Sequence, residues 1–221
     1  MRKITIAVIL LIFSSFSMAQ VASVNVYQPL PGKSSLAGSY VREAKSIQEA
    51  MGARIGITVD LKGIFRYAVI SDNWEAFGKF NQSLPGNAIF QRFQNKRGVA
   101  PATTQIDNLQ LSQVAPGIPG RPVGISQVTV WETTTGTMRA LLDGGLGAKP
   151  IHEKAGANVT IWRGPPNRMY YITQFENWEA WGKFRDTPNP EFSAYMQSLS
   201  ANGNGDLGAR VVDNITRIHL R

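Results

Sequence analysis

The side chains best suited to hold a small molecule are one arginine, two asparagines and three large aromatic residues in strand-like segments. An arginine presents a planar, forked cation that matches a carboxylate or an enolate. Tryptophan and tyrosine provide flat apolar walls that also carry a polar atom. These residue types predict binding of a small, partly aromatic and anionic molecule. The candidates are Asn25, Tyr27, Arg54, Trp131, Asn158 and Trp162.

Known catalytic and metal-binding motifs are absent from the sequence. It has no nucleophile elbow, zinc-protease helix motif, phosphate loop or dinucleotide fingerprint. Because it has no cysteine, disulfides, thiolate metal sites and a cysteine nucleophile are excluded. The two histidines, His152 and His219, are isolated and have no carboxylate pattern near them. We therefore predict no metal and no cofactor, and we assign no catalytic residue.

The elements that must position the candidate side chains occur in two copies. Residues 73–80 read NWEAFGKF and residues 177–184 read NWEAWGKF, at an offset of 104 positions. The same offset aligns other identical residues, and near the ends of the copies it grows by two. The aligned pairs include Val24 with Val128, Gly52 with Gly156, Tyr67 with Tyr171 and, with the larger offset, Asn108 with Asn214. The chain is therefore a tandem duplication.

Each copy contains the same order of predicted elements. An alternating run (ASVNVY or SQVTVW) predicts a strand, and a segment with helical apolar spacing follows it. In the first copy this helix is expected to end at Gly52, in a left-handed cap. Two strands, the helix of the repeated motif and a fourth strand complete the copy. Each copy is therefore predicted to be β-α-β-β-α-β.

The repeated motif itself is explained as the start of a helix. Asp72 and Glu75, like their counterparts in the second copy, have the spacing of a cap residue and the third helical position. Gly78 and Gly182 each cost ~1 kcal/mol of helix propensity, which predicts close packing at that turn. Aromatic residues at three-residue spacing predict a face that packs on the sheet. They are Trp74, Phe77 and Phe80, with Trp178, Trp181 and Phe184.

The first 19 residues are expected to be a signal peptide. Arg2 and Lys3 form a positive start, residues 4–13 form an apolar core, and Ser17 and Ala19 fit a cleavage site. The apolar core is shorter than the ~20 residues that a membrane-spanning helix needs. We therefore predict cleavage after Ala19, a periplasmic or secreted location, and no stable membrane insertion of the mature protein.

We expect the two halves at residues 21–113 and 125–221, with a linker at residues 114–124. The linker reads VAPGIPGRPVG, with a proline at every third position from Pro116 to Pro122. A segment of this composition is extended and can carry the chain across a domain face.

The charge pattern argues against a nucleic-acid partner. Without Arg2 and Lys3 the chain keeps 21 of its 23 basic residues against 15 acidic ones, a charge of +6. The basic residues are scattered, and the densest group is QRFQNKRG at residues 91–98. There is no stripe of basic and aromatic residues of the kind that binds nucleic acid. We interpret this group as a solvated face.

The element order, the Gly-Ala step into the second strand of each copy and the repeated aromatic helix start resemble the dimeric α/β-barrel superfamily. These are ferredoxin-like domains that include the antibiotic-biosynthesis monooxygenase and NIPSNAP groups. The resemblance covers nearly all of the mature chain. It implies an α+β fold of two tandem ferredoxin-like halves packed sheet to sheet as an intramolecular α/β-barrel. It also implies a small molecule bound within or beside the barrel, and it leaves a homo-oligomer open.

If two sheets face each other, strand alternation selects the side chains between them. The apolar set of the first and second strands is expected under the helices: Val24, Val26, Val128, Val130, Ile55, Ile57, Val159 and Ile161. The six candidates would then point into the interior. Arg54 aligns with Asn158, and Tyr27 aligns with Trp131, so a pocket there would be lopsided and hold one ligand. A solid interface between the sheets is the alternative.

We interpret the chain as an exported, non-catalytic protein that binds a small molecule between two sheets. The alternative implied by the resemblance is a cofactor-independent monooxygenase acting on an electron-rich aromatic substrate. Polar and aromatic groups hold the substrate in such enzymes, a role open to Asn25, Arg54, Trp131 and Trp162.

Two haem-related groups of the superfamily give weaker expectations. Haem-degrading members pair a first-strand asparagine and a tryptophan with a helical histidine, and Asn25 and Trp74 match in type. Leu84 and Pro188 stand where the histidine is expected in the two copies, which argues against haem degradation. Chlorite dismutase-like proteins use a proximal histidine, so His152 keeps haem binding open.

Overall fold

The computed structural model describes residues 20–134, 136–200 and 209–220. The expected signal peptide lies outside these residues, so its cleavage and the export of the protein stay predictions. In the described part of the chain, no helix is long and apolar enough to cross a membrane.

Each half contains four strands and three α-helices within the described residues. The first half consists of β1 (Val21–Pro29), α1 (Ser34–Ala50), β2 (Arg54–Asp60), β3 (Phe65–Ser71), α2 (Trp74–Ser83), a 3-10 turn (Leu84–Gly86), α3 (Ala88–Val99) and β4 (Thr103–Ala115). The second half consists of β5 (Ile125–Thr133), α4 (Met138–Lys154), β6 (Asn158–Gly164), β7 (Arg168–Phe175), α5 (Trp178–Asp186), α6 (Pro190–Leu199) and β8 (Ala209–His219).

The eight strands form one closed antiparallel barrel in the order β1-β3-β2-β8-β5-β7-β6-β4. Each half supplies a four-stranded sheet with its first strand in the middle. The halves join at two seams, where β2 pairs with β8 and β4 pairs with β6. The predicted fold of two ferredoxin-like halves that close as an intramolecular barrel is confirmed. The domain boundaries at residues 21–113, 114–124 and 125–221 stay predictions.

The core is divided into three clusters, two outside the barrel wall and one inside it. Each half packs its helices on the outer face of its own sheet. The third group, which we name the interior cluster, fills the barrel with side chains from both halves. Its buried members are Ala22, Val24, Leu111, Val128, Val130, Trp162 and Tyr170.

The predicted orientation of the first strand of each half is wrong. Val24, Val128 and Val130 point into the interior cluster, while Tyr27 and Trp131 pack on the helix side. Because β1 and β5 lie in the middle of their sheets, both faces of each strand are buried, and an apolar face alone does not identify the helix side.

The predicted orientation of the second strand is confirmed. Ile57, Val159 and Ile161 are buried in the helix-side clusters. Trp162 points the other way, into the interior cluster. In β2 and β6, the aligned residues Ile57 and Ile161 therefore face the helices, as predicted.

The helices of the repeated motif begin one residue later than predicted. Asn73 and Asn177 are the caps, since their Oδ1 atoms accept hydrogen bonds from the amides of Ala76 at 2.8 Å and Ala180 at 2.9 Å. Asp72 is therefore not a cap. The predicted acidic first turn is present, with Glu75 and its counterpart in the second half.

Two details of the same helices differ from expectation. Trp74 and Trp178 are 41% and 44% exposed, so they do not pack on the sheet. Each ring instead makes an edge-to-face contact within its own helix, Trp74 with Phe77 and Trp178 with Trp181. A Cβ placed on Gly78 or Gly182 would meet nothing within 4 Å, so the predicted close packing at that turn is wrong. The predicted left-handed cap at Gly52 is confirmed by its φ of +91°.

The structure adds a helix to each half that the sequence did not predict. α3 buries Phe90 and Phe93 against the first half, and α6 packs on α4 through Tyr195, whose hydroxyl donates to the Gly144 carbonyl at 2.9 Å. In α3 the two buried rings lie among basic and amide side chains, which hid its amphipathic character. These extra helices cover the space beside each sheet, where the cavities described below lie.

Candidate functional site

The structure does not bring the six predicted site residues together. Asn25 and Tyr27 line a cavity under the helices of the first half. Trp162 lies on the opposite face of the barrel wall, in the interior cluster. Arg54 lies at the surface, where its Nη2 pairs with Asp72 Oδ1 at 2.6 Å. The six residues therefore do not share one pocket between the sheets, and the ligand-binding role of each stays a prediction.

The other two candidates have structural partners in the second half. Trp131 packs against the helix-side cluster below α4. Asn158 is buried, and its Oδ1 accepts a hydrogen bond from the Ile118 amide at 2.6 Å. A Cβ on Gly117 would come within 2.5 Å of the same oxygen, so only glycine fits there without a shift. Asn158 thus anchors the linker across the start of β6.

A cavity of about 200 Å³, which we name the first cavity, lies between the sheet of the first half and helices α1, α2 and α3. α1 turns Tyr40, Ala44 and Gln48 toward it, at the spacing of one helical face. Seven of the residues that line it are aromatic: Tyr27, Tyr40, Tyr67, Phe77, Phe80, Phe90 and Phe93. Such a wall favours a flat apolar molecule.

Two buried polar atoms in the first cavity have no hydrogen-bond partner in the described part of the chain. They are Oε1 of Gln48, on α1, and the hydroxyl of Tyr67, on β3. Burial raises the pKa of Tyr67, with smaller contributions from Tyr27 and Glu49, so the phenol keeps its proton. The pair therefore presents one free acceptor and one free O–H donor. An unpaired buried polar group costs about 1–3 kcal/mol, so two in one cavity require an explanation.

The edge of the first cavity carries polar groups that already have partners. Asn108 Nδ2 donates to Asn25 Oδ1 at 2.7 Å, which fixes the amide of Asn25. The guanidinium of Arg97 lies 5.8 Å from the ring centre of Tyr27 and 5.6 Å from that of Phe93. This places a cation beside the aromatic wall, where it can attract an anionic group on a bound molecule.

An equivalent space in the second half, the second cavity, lies beside helices α4, α5 and α6 and measures about 580 Å³. His152 and Tyr171 line it, at the positions that Gln48 and Tyr67 occupy in the first half. Here the pair is satisfied, because His152 Nδ1 and the Tyr171 hydroxyl lie 2.8 Å apart in a hydrogen bond. Burial lowers the pKa of His152, which keeps the imidazole neutral at neutral pH.

Sequence reasoning missed both polar pairs. His152 looked isolated because Tyr171, its partner, lies on a strand 19 residues away. The duplication carried the necessary signal, since the same offset of 104 aligns Gln48 with His152 and Tyr67 with Tyr171. Reading the helix face and the third strand together in both copies would have identified the two pairs.

A charged group lies at the β2–β8 seam inside the barrel. Arg66 Nη1 pairs with Asp60 Oδ2 at 2.8 Å, and both side chains are buried. Burial alone would raise the pKa of Asp60, but hydrogen bonds from Arg66 and two backbone amides outweigh it and hold the pKa below its usual range. His219 bonds to Ser126 at 3.1 Å, and burial with the nearby Arg217 lowers its pKa to about 4. The ion pair lies within the first half, and the bond between His219 and Ser126 lies within the second.

The fold is shared with solved structures, although no family model and no curated protein matches the sequence. A Fusobacterium nucleatum protein provisionally named a monooxygenase has a TM-score of 0.65 and 10% identity, covering 92% of this chain and 93% of that one. An anthrone oxidase-like protein has a TM-score of 0.60 and 14% identity, with coverage of 91% and 92%. A chlorite dismutase variant from Candidatus Nitrospira defluvii has a TM-score of 0.51 and 10% identity, covering 91% of both chains. The chain thus has the fold of the dimeric α/β-barrel proteins, with both halves in one polypeptide.

Proposed function

We propose that the protein binds a small, partly aromatic molecule in the first cavity. The observation that carries the proposal is the pair of unpaired polar atoms, Gln48 Oε1 and Tyr67 OH, inside an aromatic wall. A ligand with a donor for Gln48 and an acceptor for Tyr67 would satisfy both atoms. The cation of Arg97 lies beside the same wall and favours an anionic substituent.

The second half supports this interpretation by contrast. At the same positions, His152 and Tyr171 bond to each other and leave no unpaired hydroxyl. The fold can therefore satisfy this pair internally, and in the first half it does not. A binding role explains why two costly polar atoms are kept in one cavity.

Ligand-dependent stabilisation tests the proposal. A panel of phenols, catechols and quinols is added to the wild type, and the melting temperature is followed, since a ligand that binds only the folded state raises it. Tyr67→Phe removes one free donor, so the affinity for a stabilising compound should fall about tenfold.

The matched control is Tyr171→Phe, which removes the equivalent hydroxyl from the second half. It should leave the affinity of the first cavity unchanged. If Tyr67→Phe binds every stabilising compound as tightly as the wild type does, the unpaired hydroxyl takes no part in binding and the proposal fails.

A second candidate is a cofactor-independent monooxygenase acting in the same cavity. Structures named as a monooxygenase and as anthrone oxidase-like share the fold over at least 91% of each chain. Arg97 lines the cavity and could stabilise an anionic intermediate, whereas Arg54 is held at the surface by Asp72. In such a reaction a phenol and O₂ give a quinone and water, so the substrate supplies the electrons.

Oxygen uptake separates the two candidates. The same compounds are incubated with the wild type, Tyr67→Phe and Arg97→Met in an oxygen electrode. Uptake that both substitutions reduce supports the monooxygenase. Stabilisation by a compound without any oxygen uptake supports the binding protein.

We also propose that the protein is exported, with cleavage after Ala19. The support is the positive start, the apolar core and the small residues at the expected cleavage site. Mass spectrometry of protein recovered from the producing cell measures the N-terminus. A mature chain that begins at Gln20 is expected, and an intact Met1 on cytoplasmic protein would contradict the proposal.

A further inference from the structure

The hydrogen bond between His152 and Tyr171 determines which ring nitrogen of His152 carries the proton. The Tyr171 hydroxyl is buried, and in the described part of the chain its one hydrogen bond goes to Nδ1 of His152. Burial raises the pKa of Tyr171, so the hydroxyl keeps its proton. That proton has no other acceptor among the residues that the structure describes, so the hydroxyl donates to Nδ1, and the proton of the neutral ring lies on Nε2.

The imidazole of His152 is held in place by three aromatic rings. Its centre lies 4.5 Å from the ring of Phe192, and 5.6 Å from each of the rings of Phe184 and Tyr171. All four rings line the second cavity. Because the packing fixes the ring, the Nε2–H group is a donor in a defined position, with flat apolar surfaces beside it. Nε2 has no hydrogen-bond partner among residues 20–134, 136–200 and 209–220.

The rim of the second cavity adds positive charge. Lys154 and Arg185 both line it, and Lys154 is neutralised by Glu191 at 2.6 Å. Arg185 makes no ion pair with any residue that the structure describes. Among the described residues, the rim therefore carries a guanidinium without an ion-pair partner, which suits a carboxylate.

We propose that the second cavity is a separate binding site for an aromatic carboxylate. One carboxylate oxygen accepts the Nε2–H of His152, the aromatic part lies against Phe184 and Phe192, and Arg185 attracts the negative charge. The two cavities then differ at one helix position, since the first offers an acceptor at Gln48 and the second offers a donor at His152. This site does not depend on the ligand proposed for the first cavity.

The same hydrogen bond argues against iron ligation by His152. A metal would need Nε2 without its proton, and the proton would then move to Nδ1 and donate to the Tyr171 oxygen. The Tyr171 hydroxyl proton would be left without an acceptor in the described part of the protein. The observed pair thus fits a hydrogen-bonded ligand and does not fit a haem.

Binding of 2-naphthoate tests the site, with methyl 2-naphthoate and naphthalene as controls for charge and for apolar contact. Isothermal titration of the full chain should rank naphthoate above its ester, and the ester above naphthalene. His152→Phe keeps the aromatic packing and removes the donor, so naphthoate affinity should fall at least tenfold. Arg185→Gln should weaken naphthoate and leave the ester unchanged. Tyr67→Phe, in the first cavity, should change neither.

Nitrogen NMR of His152 reports the proton position without any ligand. Nε2 is expected to be protonated in the wild type. Because Tyr171 acts as a positioning residue, Tyr171→Phe should show a mixture of the two tautomers. His152→Gln, the residue found in the first half, serves if His152→Phe does not fold. The proposal would be overturned if the His152 substitution and Arg185→Gln both left the affinity for naphthoate unchanged. So would a protonated Nδ1 in the wild type, or a haem absorption band that disappears in His152→Gln.

Discussion

The two cavities occupy equivalent positions in the two halves, but their polar pairs differ. In the second cavity, His152 and Tyr171 satisfy each other. In the first, Gln48 Oε1 and the Tyr67 hydroxyl are buried and have no hydrogen-bond partner in the described part of the chain. The residue at one helix position, His152 or Gln48, therefore decides whether the neighbouring tyrosine has a hydrogen-bond partner. The comparison shows that the repeat conserves the frame around a site, while single side chains decide what the site can bind.

The largest change in the free energy of unfolding is expected at two positions inside the barrel where the halves differ. Asp60 and Arg66 of the first half align with Gly164 and Tyr170 of the second. Asp60→Ala leaves the buried guanidinium of Arg66 without its carboxylate, which should cost about 3 kcal/mol of unfolding free energy. Urea denaturation at pH 7 measures the loss.

The double variant Asp60→Gly with Arg66→Tyr copies the second half and serves as the control. It removes both charges, so it should be more stable than Asp60→Ala. A double variant less stable than Asp60→Ala would contradict the expected cost of leaving the Arg66 guanidinium buried without its carboxylate.

Acid sensitivity is the next largest expected effect, and it belongs to the second half, which holds both histidines. The folded-state pKa of His219 is about 4, while an unfolded histidine titrates near 6.5. The unfolded chain therefore binds the proton first, so stability is complete above about pH 6.5 and falls as the pH drops toward 4. The loss at pH 5 should be on the order of 1–2 kcal/mol.

Urea denaturation at pH 7 and pH 5 checks this expectation in the wild type and in His219→Gln. The substitution should flatten the pH dependence, because glutamine does not titrate. If the free energy of unfolding changed equally with pH in both proteins, His219 would be accessible to protons in the folded state.

Gln48→His tests whether the first cavity can be closed like the second. The new imidazole would lie where His152 lies and should bond to Tyr67, which gains about 0.5–1.5 kcal/mol of stability. The same change should abolish ligand-dependent stabilisation in the first cavity. A destabilised protein that still binds its ligand would show that the two cavities are not equivalent in shape.

The smallest expected change in stability concerns a helix glycine that both halves contain. Gly78 and Gly182 lie in α2 and α5, and a Cβ at either position meets open space. Gly78→Ala and Gly182→Ala should each stabilise the protein by about 0.5–1 kcal/mol through helix propensity. Thermal unfolding of both variants checks this, and a loss of stability in either would indicate packing that the structure does not show.

The repeat and the element order were sufficient to predict the fold, because a shared offset and the strand and helix periods are properties of the sequence itself. The positions of the site residues were harder to predict. Both faces of β1 are buried, so its alternation did not show that Tyr27 faces the helices and Val24 the barrel interior.

Contacts between distant elements were not readable from local pattern. The alternation predicted an interior position for Arg54, but this residue lies at the start of β2 and pairs with Asp72, which directly follows β3. The bond between His152 and Tyr171 joins a helix to a strand, and only a comparison of the two copies could have suggested it.

The unfolding free energies of Tyr67→Phe and Tyr171→Phe test the central claim most directly. Each variant loses one buried hydroxyl at an equivalent position, and both are measured in urea at pH 7 without ligand. Tyr171→Phe should lose about 1 kcal/mol, since it breaks a formed hydrogen bond, while Tyr67→Phe should lose none or gain slightly. Equal losses in the two variants would contradict the account, because Tyr67 would then have a partner in the folded protein.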